Sequence, residues 1–144
     1  MEQRQRVLAL DVGEVRIGLA LSDPFGWTAQ GLESYTRRSR EKDREHILAI
    51  MKPYEPLTLL FGMPRNMNGS YGPQAEKIQA YAHELSGWLE GQVAFDVAFF
   101  DERLTTAAAE RILISADVSR KKRKKVIDKM AAVQILQGYL DANA

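Results

Sequence analysis

The chain has 144 residues, 45% hydrophobic and 27% charged, with a net charge of +1; this is the size and balance of one globular domain able to bury its own core. It contains no cysteine, which excludes disulfides, zinc–thiolate centres and cysteine nucleophiles and fits a reducing cytoplasm. No apolar run approaches the roughly 18 residues that span a bilayer, and Met1–Arg6 does not resemble a signal peptide, so the expectation is a single cytoplasmic domain over 1–144 with no membrane partner.

Val7–Leu10 is continuously apolar and reads as a strand buried on both faces, ending on Asp11. After a turn at Gly13-Glu14, Ile17, Leu19 and Leu21 alternate with Gly18, Ala20 and Ser22, a period-two strand with one small-residue face. Thr28–Tyr35 predicts a third strand and closes an antiparallel meander. A helix is expected over Glu41–Met51, with Ile47, Leu48 and Met51 as its apolar stripe and Pro53 and Pro56 as its stop. Leu57–Phe61 predicts a buried strand, and Gly62–Gly72 a polar loop. Ala75, Ile78, Ala82, Leu85 and Leu89 keep helical spacing behind Pro73. Val93–Phe100 predicts another buried strand, ending on Asp101-Glu102. A helix over Thr105–Ile114 should be broken at Asp117–Ser119. The last helix, from about Arg120 to Leu140, should turn Val126, Met130, Val133, Leu136 and Leu140 inward. Strand–helix alternation after a meander predicts an α/β fold, a mixed five-stranded sheet with helices on both faces.

The residues able to carry chemistry are mostly carboxylates. Asp11 ends a buried strand, where α/β sheets place ligand sites, although an Asp beside a turn also bonds backbone N–H groups. Asp101 and Glu102 are adjacent carboxylates, which repel unless a cation or Arg103 lies between them. Asp128 follows Lys124 by one helical turn, the spacing of a surface ion pair. Together, Asp11, Asp101 or Glu102, and Asp128 offer the oxygen ligands that Mg²⁺ or Mn²⁺ prefers. His46 and His83 lie on separate helices and suggest core-edge or surface residues; Trp27 and Trp88 suggest packing. The run Arg120–Lys125 is unbroken positive charge, and Arg37-Arg38-Ser39-Arg40 is a second basic stretch. Each is either a solvated face or a polyanion contact. The loop from Gly62 to Ser70, with Arg65, Asn66, Asn68 and Ser70, precedes a helix N-terminus and so suits a phosphate.

These residues also form four ordered motifs. Ala9–Ala20, Gly62–Ser70 with Gln74-Ala75, Asp101–Thr106 with Ala109-Glu110, and Lys125–Ala132 resemble the motifs of the YqgF/RuvX family, over about Val7–Leu140. The resemblance implies an RNase H-like fold and a metal-dependent nuclease. The family is described both as Holliday junction resolvases and as nucleases that mature the 5′ end of small-subunit ribosomal RNA precursors. It gives Asp11, Glu102 and Asp128 the roles of catalytic, metal-binding triad, with Asp101 as alternative ligand. Arg16, Arg65, Asn66, Asn68, Ser70, Lys121, Lys122, Lys124 and Lys125 would contact nucleic acid. Two features depart from the pattern: no acid ends the fourth strand, which reads Phe61-Gly62-Met63-Pro64, and Arg65 stands where the family often has Leu. Two ions roughly 3.5–4 Å apart can activate water and stabilise a leaving oxygen without a histidine base.

Two other classes share part of this pattern. Sugar kinases, actins and heat-shock ATPases open with a similar Asp-x-Gly strand, but they enclose a nucleotide between two such domains. A non-catalytic nucleic-acid or ribosome-binding module would keep the basic run without needing three acids. Between structured RNA and branched DNA the sequence decides little, since the basic run suits either; ribosomal RNA is the expected substrate because a monomer suffices to cut one strand, whereas a junction resolvase needs a two-fold dimer.

Overall fold

The alternating first third of the chain folds as an antiparallel meander of β1 (Arg6–Val12), β2 (Arg16–Ser22) and β3 (Ala29–Thr36). The computed structural model describes residues 2–64, 70–101 and 120–143, with the backbone alone for 120–129. β4 (Leu57–Met63) joins β1 in parallel, and β5 (Phe95–Asp101) joins β4 in parallel, giving the order β3-β2-β1-β4-β5. The α-helices of the described residues are α1 (Arg40–Met51), α2 (Pro73–Leu89) and α3 (Arg120–Ala142). β1, the first strand, lies at the centre of the sheet, with β4 between it and β5, as the continuous apolar run of each required.

Successive β1 side chains divide between two cores. Leu8, Leu10 and Val12 join Ile17, Leu19, Leu59 and Phe61 under α1 and α2. Val7 and Ala9 join Ala20 and Leu60 under α3, through Ala132, Ile135, Leu136 and Leu140. Helices therefore cover both faces of the sheet. The small-residue side of β2 lets α3 come close, and close approach is repeated at Gly138. A Cβ there would lie 2.8 Å from the Phe100 ring. All five residues of the α2 spacing are buried. Each large aliphatic side chain so buried contributes about 2 kcal/mol.

Several expectations need correction. The α3 stripe is rotated: Ala131, Ala132 and Ile135 are buried with Leu136 and Leu140, while Met130 and Val133 are only half-buried. β5 is an edge strand rather than a buried one, with Val97 40% and Phe99 47% exposed. α1 does end at Met51, as expected ahead of Pro53, but a 3₁₀ turn at Lys52–Tyr54 follows it directly with Pro in its first positions, where a missing N–H is harmless. Trp27 is 58% exposed and tilted against Phe25, so it is not a core residue; Trp88 packs against the core. The helix expected over Thr105–Ile114 and its break at Asp117–Ser119 lie outside the described residues.

Candidate functional site

The carboxyl ends of β1, β4 and β5 meet at one edge of the sheet, and Asp11 stands there, half-buried. Asp11 follows Ala9 by two residues and so belongs to the α3 face. Its direct partner on β2 is Gly18. On the other side, Leu10 pairs with Phe61, so the neighbour of Asp11 along β4 is Gly62. Neither adjoining strand therefore raises a side chain beside the carboxylate. This is the physical meaning of a fourth strand ending without an acid: at these two paired positions the sheet itself sets only glycine beside Asp11. A carboxylate at a strand end supplies the oxygen ligands that a hard divalent cation prefers.

The turn after Asp11 is tightly held. Gly13 N–H donates to the Arg16 carbonyl at 2.8 Å, and a Cβ on Gly13 would lie 2.8 Å from that same oxygen, so the hairpin requires glycine. Arg37 then reaches back from the end of β3, and its Nη1 donates to the Gly13 carbonyl at 2.9 Å. The Arg37 backbone N–H donates to the Val15 carbonyl at 2.9 Å. Reading residues 37–40 as a basic stretch missed this clamp. No signal in the sequence shows that Arg37 folds back onto the hairpin.

Of the acidic pair, Asp101 is described, as the last residue of β5. The Phe99 ring stacks on Phe61 at 5.8 Å, on the α1–α2 face, whereas Phe100 packs on the α3 face. Asp101, two residues after Phe99, belongs with the α1–α2 face, so the fold does not bring it to the face of Asp11. Glu102, Arg65, Asn66, Asn68 and the side chains of Lys121, Lys122, Lys124, Lys125 and Asp128 lie outside the described residues. Among the described residues no three acidic or histidine side chains form a metal-holding group. Arg16 is half-buried at the start of β2, and Ser70 is exposed just before α2. The α2 N-terminus, with Gly72 as its cap and Pro73 behind it, has no side-chain cap bond.

Neither histidine serves this edge. His46 stacks on Tyr35 with ring centroids 4.1 Å apart and contacts Glu33. His83 is exposed and lines a shallow cavity with Pro56 and Phe95 at the opposite edge.

The family model described as RuvX, Holliday junction resolvase, matches residues 5–142. The chain belongs to the RuvX family. A relative from Halalkalibacterium halodurans, named "Putative pre-16S rRNA nuclease", is 56% identical over 138 residues, 94% of this chain and 96% of the relative. Among solved structures, the Fowlpox virus resolvase in complex with substrate Holliday junction DNA aligns with a TM-score of 0.60 at 10% identity. It covers 96% of this chain and 98% of that one. RuvC of T. thermophilus in complex with a Holliday junction substrate aligns with a TM-score of 0.58 at 13% identity, covering 97% and 96%. At such identities these two likenesses establish the fold, which is RNase H-like. Membership of the RuvX family carries the enzyme class with it: the chain is a hydrolase of the nuclease type.

Proposed function

We infer that this RuvX-family chain cuts a phosphodiester bond of structured RNA at the edge of the sheet marked by Asp11, in maturation of the 5′ end of a small-subunit ribosomal RNA precursor. The observation carrying the reading is Asp11 itself, a strand-end carboxylate between two glycine-flanked strands on the α3 face. The family motif that begins at Asp101 gives Glu102 as the second ligand, with Asp101 as the alternative.

Position 128 is favoured by length. Arg4 Nη1 donates to the Asn143 carbonyl at 3.5 Å, which ties the end of α3 to the start of β1. From Arg4 to Asp11 the extended chain advances about 23 Å; from Asn143 back to Asp128 the helix advances about 22 Å. Asp128 also precedes Ala132 and Ile135 by four and seven residues, the spacing of the stripe that meets the Asp11 face.

Asp11, Glu102 and Asp128 would hold Mg²⁺ or Mn²⁺, which, when bound, lowers the pKa of coordinated water and offsets charge on the phosphate. The protein's own work is to fix the carboxylates and hold the strand. The Arg37 clamp and the Gly13 hairpin hold the backbone beyond Asp11 still. α3 opens with six basic residues and no acid in its first turn. Cations there face the positive end of the helix dipole, an unfavourable placement that phosphate relieves. Lys121, Lys122, Lys124 and Lys125, with Arg16, Arg65, Asn66, Asn68 and Ser70, would hold the backbone of the substrate without reading its sequence.

The second reading is resolution of Holliday junctions, favoured by the family description and the junction-bound neighbours. It requires a stable homodimer presenting two sites across a two-fold axis. The test is a side-by-side cleavage assay with Mg²⁺ or Mn²⁺ on a four-way DNA junction and on RNA carrying the precursor 5′ extension. Preferred cleavage of the RNA by a monomer supports the first reading. Paired, symmetric nicks in the junction made by a dimer support the second, and no metal-dependent cleavage of either substrate contradicts both.

A further inference from the structure

A second charged feature lies on the other face of the sheet and begins two residues beyond Asp11. A cavity of about 210 Å³ is lined by Gly13, Glu14, Arg37, Lys77 and Tyr81 among others. A second, of about 160 Å³, is lined by Arg37, Arg40, Asp43, Arg44, Tyr81 and Glu84 among others. Arg37 and Tyr81 line both, so the two cavities adjoin: the first lies between the β1–β2 hairpin and α2, the second in the seam between α1 and α2, and in line they make a groove. Its mouth is the hairpin that follows Asp11, and its far end is Arg44.

The charges in this groove are unequally satisfied. Arg37 is engaged: it bonds the Gly13 carbonyl, lies 3.5 Å from the buried Asp43, and covers the Tyr81 ring. Asp43 is also engaged, accepting from the Tyr35 hydroxyl and the Arg38 backbone N–H at 2.8 Å each. Arg40 pairs with Glu84 at 2.8 Å, but the two side chains are 75% and 52% exposed, and a pair so open to water contributes little. Arg44 makes no ion pair among the described residues. Its guanidinium lies 4.7 Å over the Trp88 ring, and its Nε is buried without a hydrogen-bond partner. A buried, unpaired guanidinium N–H is costly, and the ligand that matches its planar fork is a phosphate or carboxylate. Arg40 is also the first residue of α1, behind the Ser39 cap, so the positive helix end adds to the field there.

We propose that the groove between α1 and α2 binds the phosphate backbone of a single-stranded extension of the substrate, with Arg40 and Arg44 as its phosphate contacts. The inference rests on the nuclease reading above, because the cut strand must reach the Asp11 edge for its extension to enter the groove mouth at Gly13. Arg37 acts there as a positioning residue, joining the groove wall to the hairpin. Lys77, held at 3.3 Å by Glu14 at the mouth, is exposed and can exchange that carboxylate for a phosphate. The Arg44–Trp88 contact suits a base or ribose only secondarily; charge is the recognised property.

The experiment compares binding of two RNAs, one trimmed to the cleavage region and one with a single-stranded extension on either side. Ca²⁺ replaces Mg²⁺, and the salt concentration is varied. The parent protein should bind the extended RNA more tightly. In an R40Q/R44Q variant that advantage should fall about twenty-fold at 0.1 M salt. The salt slope should flatten by about 0.7 for each of two lost single-strand phosphate contacts. E84Q frees the Arg40 guanidinium and should strengthen binding of the extended RNA, which a folding defect cannot do. The proposal is overturned by an equal advantage in the parent and R40Q/R44Q, by a parent that ignores the extension, or by an E84Q variant that binds no more tightly. A parent that binds neither RNA and cleaves nothing instead contradicts the nuclease reading, a result distinguishable from these.

Discussion

Tyr81 sits under the Arg37 guanidinium in the α1–α2 seam, and burial pushes its phenol up to about 12 from an ordinary 10, with Arg37 opposing the rise. The unfolded chain would therefore release this proton near pH 10, and the folded chain only near pH 12. As pH rises through that window the unfolded state binds fewer protons, so stability falls. The contribution is fully present below about pH 10 and lost by about pH 12, up to about 2 kcal/mol. Denaturant melts of the parent and Tyr81→Phe between pH 9 and 12 should show a steeper loss in the parent. Parallel curves would mean that the phenol is better solvated than its surroundings indicate. At this scale the sequence was legible for Asp11, whose place at a strand end follows from the apolar run before it. It was illegible for Arg37 and Asp43, because their partners at Gly13 and Tyr35 come together only when β3 is paired in the sheet. Asp101 shows the middle case: its place at the end of β5 was legible, but the face it shares with Phe99, two residues before it, follows only from the alternation of the folded strand.

The elements were read with uneven success, for physical reasons. α2 could be read in full because its five inward residues are apolar and evenly spaced. α3 could be located but not oriented. Its inward positions include Ala131 and Ala132, small residues that give little hydrophobic signal, and they suit the small-residue face of Ala9 and Ala20 on which the helix lies. β5 misled because an apolar strand at a sheet edge, with Val97 and Phe99 exposed, reads like a central one. The opening of α3 carries the element's own prediction. Replacing Lys121, Lys122, Lys124 and Lys125 with Ala should weaken nucleic-acid binding and flatten its salt dependence by roughly 0.9 per lost contact on duplex DNA. Cleavage at saturating substrate should survive in part. Binding and slope equal to the parent's would make the run a solvated face.

For the whole molecule, the sheet order and the two helical layers gather the strand ends of β1, β4 and β5 at one edge, while the α1–α2 seam and α3 flank it on opposite faces. The central claim is that carboxylates at this edge serve chemistry while basic surfaces serve binding. The most direct test is Asp11→Asn, which keeps the size of the side chain and removes its charge. Cleavage and binding of the preferred substrate should be measured separately, with Mg²⁺ or Mn²⁺ and again after chelation. The account predicts that Asp11→Asn and chelation each abolish nearly all cleavage, while the variant binds nucleic acid as well as the parent or slightly better, because phosphate meets less repulsion. A variant that cuts like the parent would make Asp11 a residue of the turn and contradict the account at its centre.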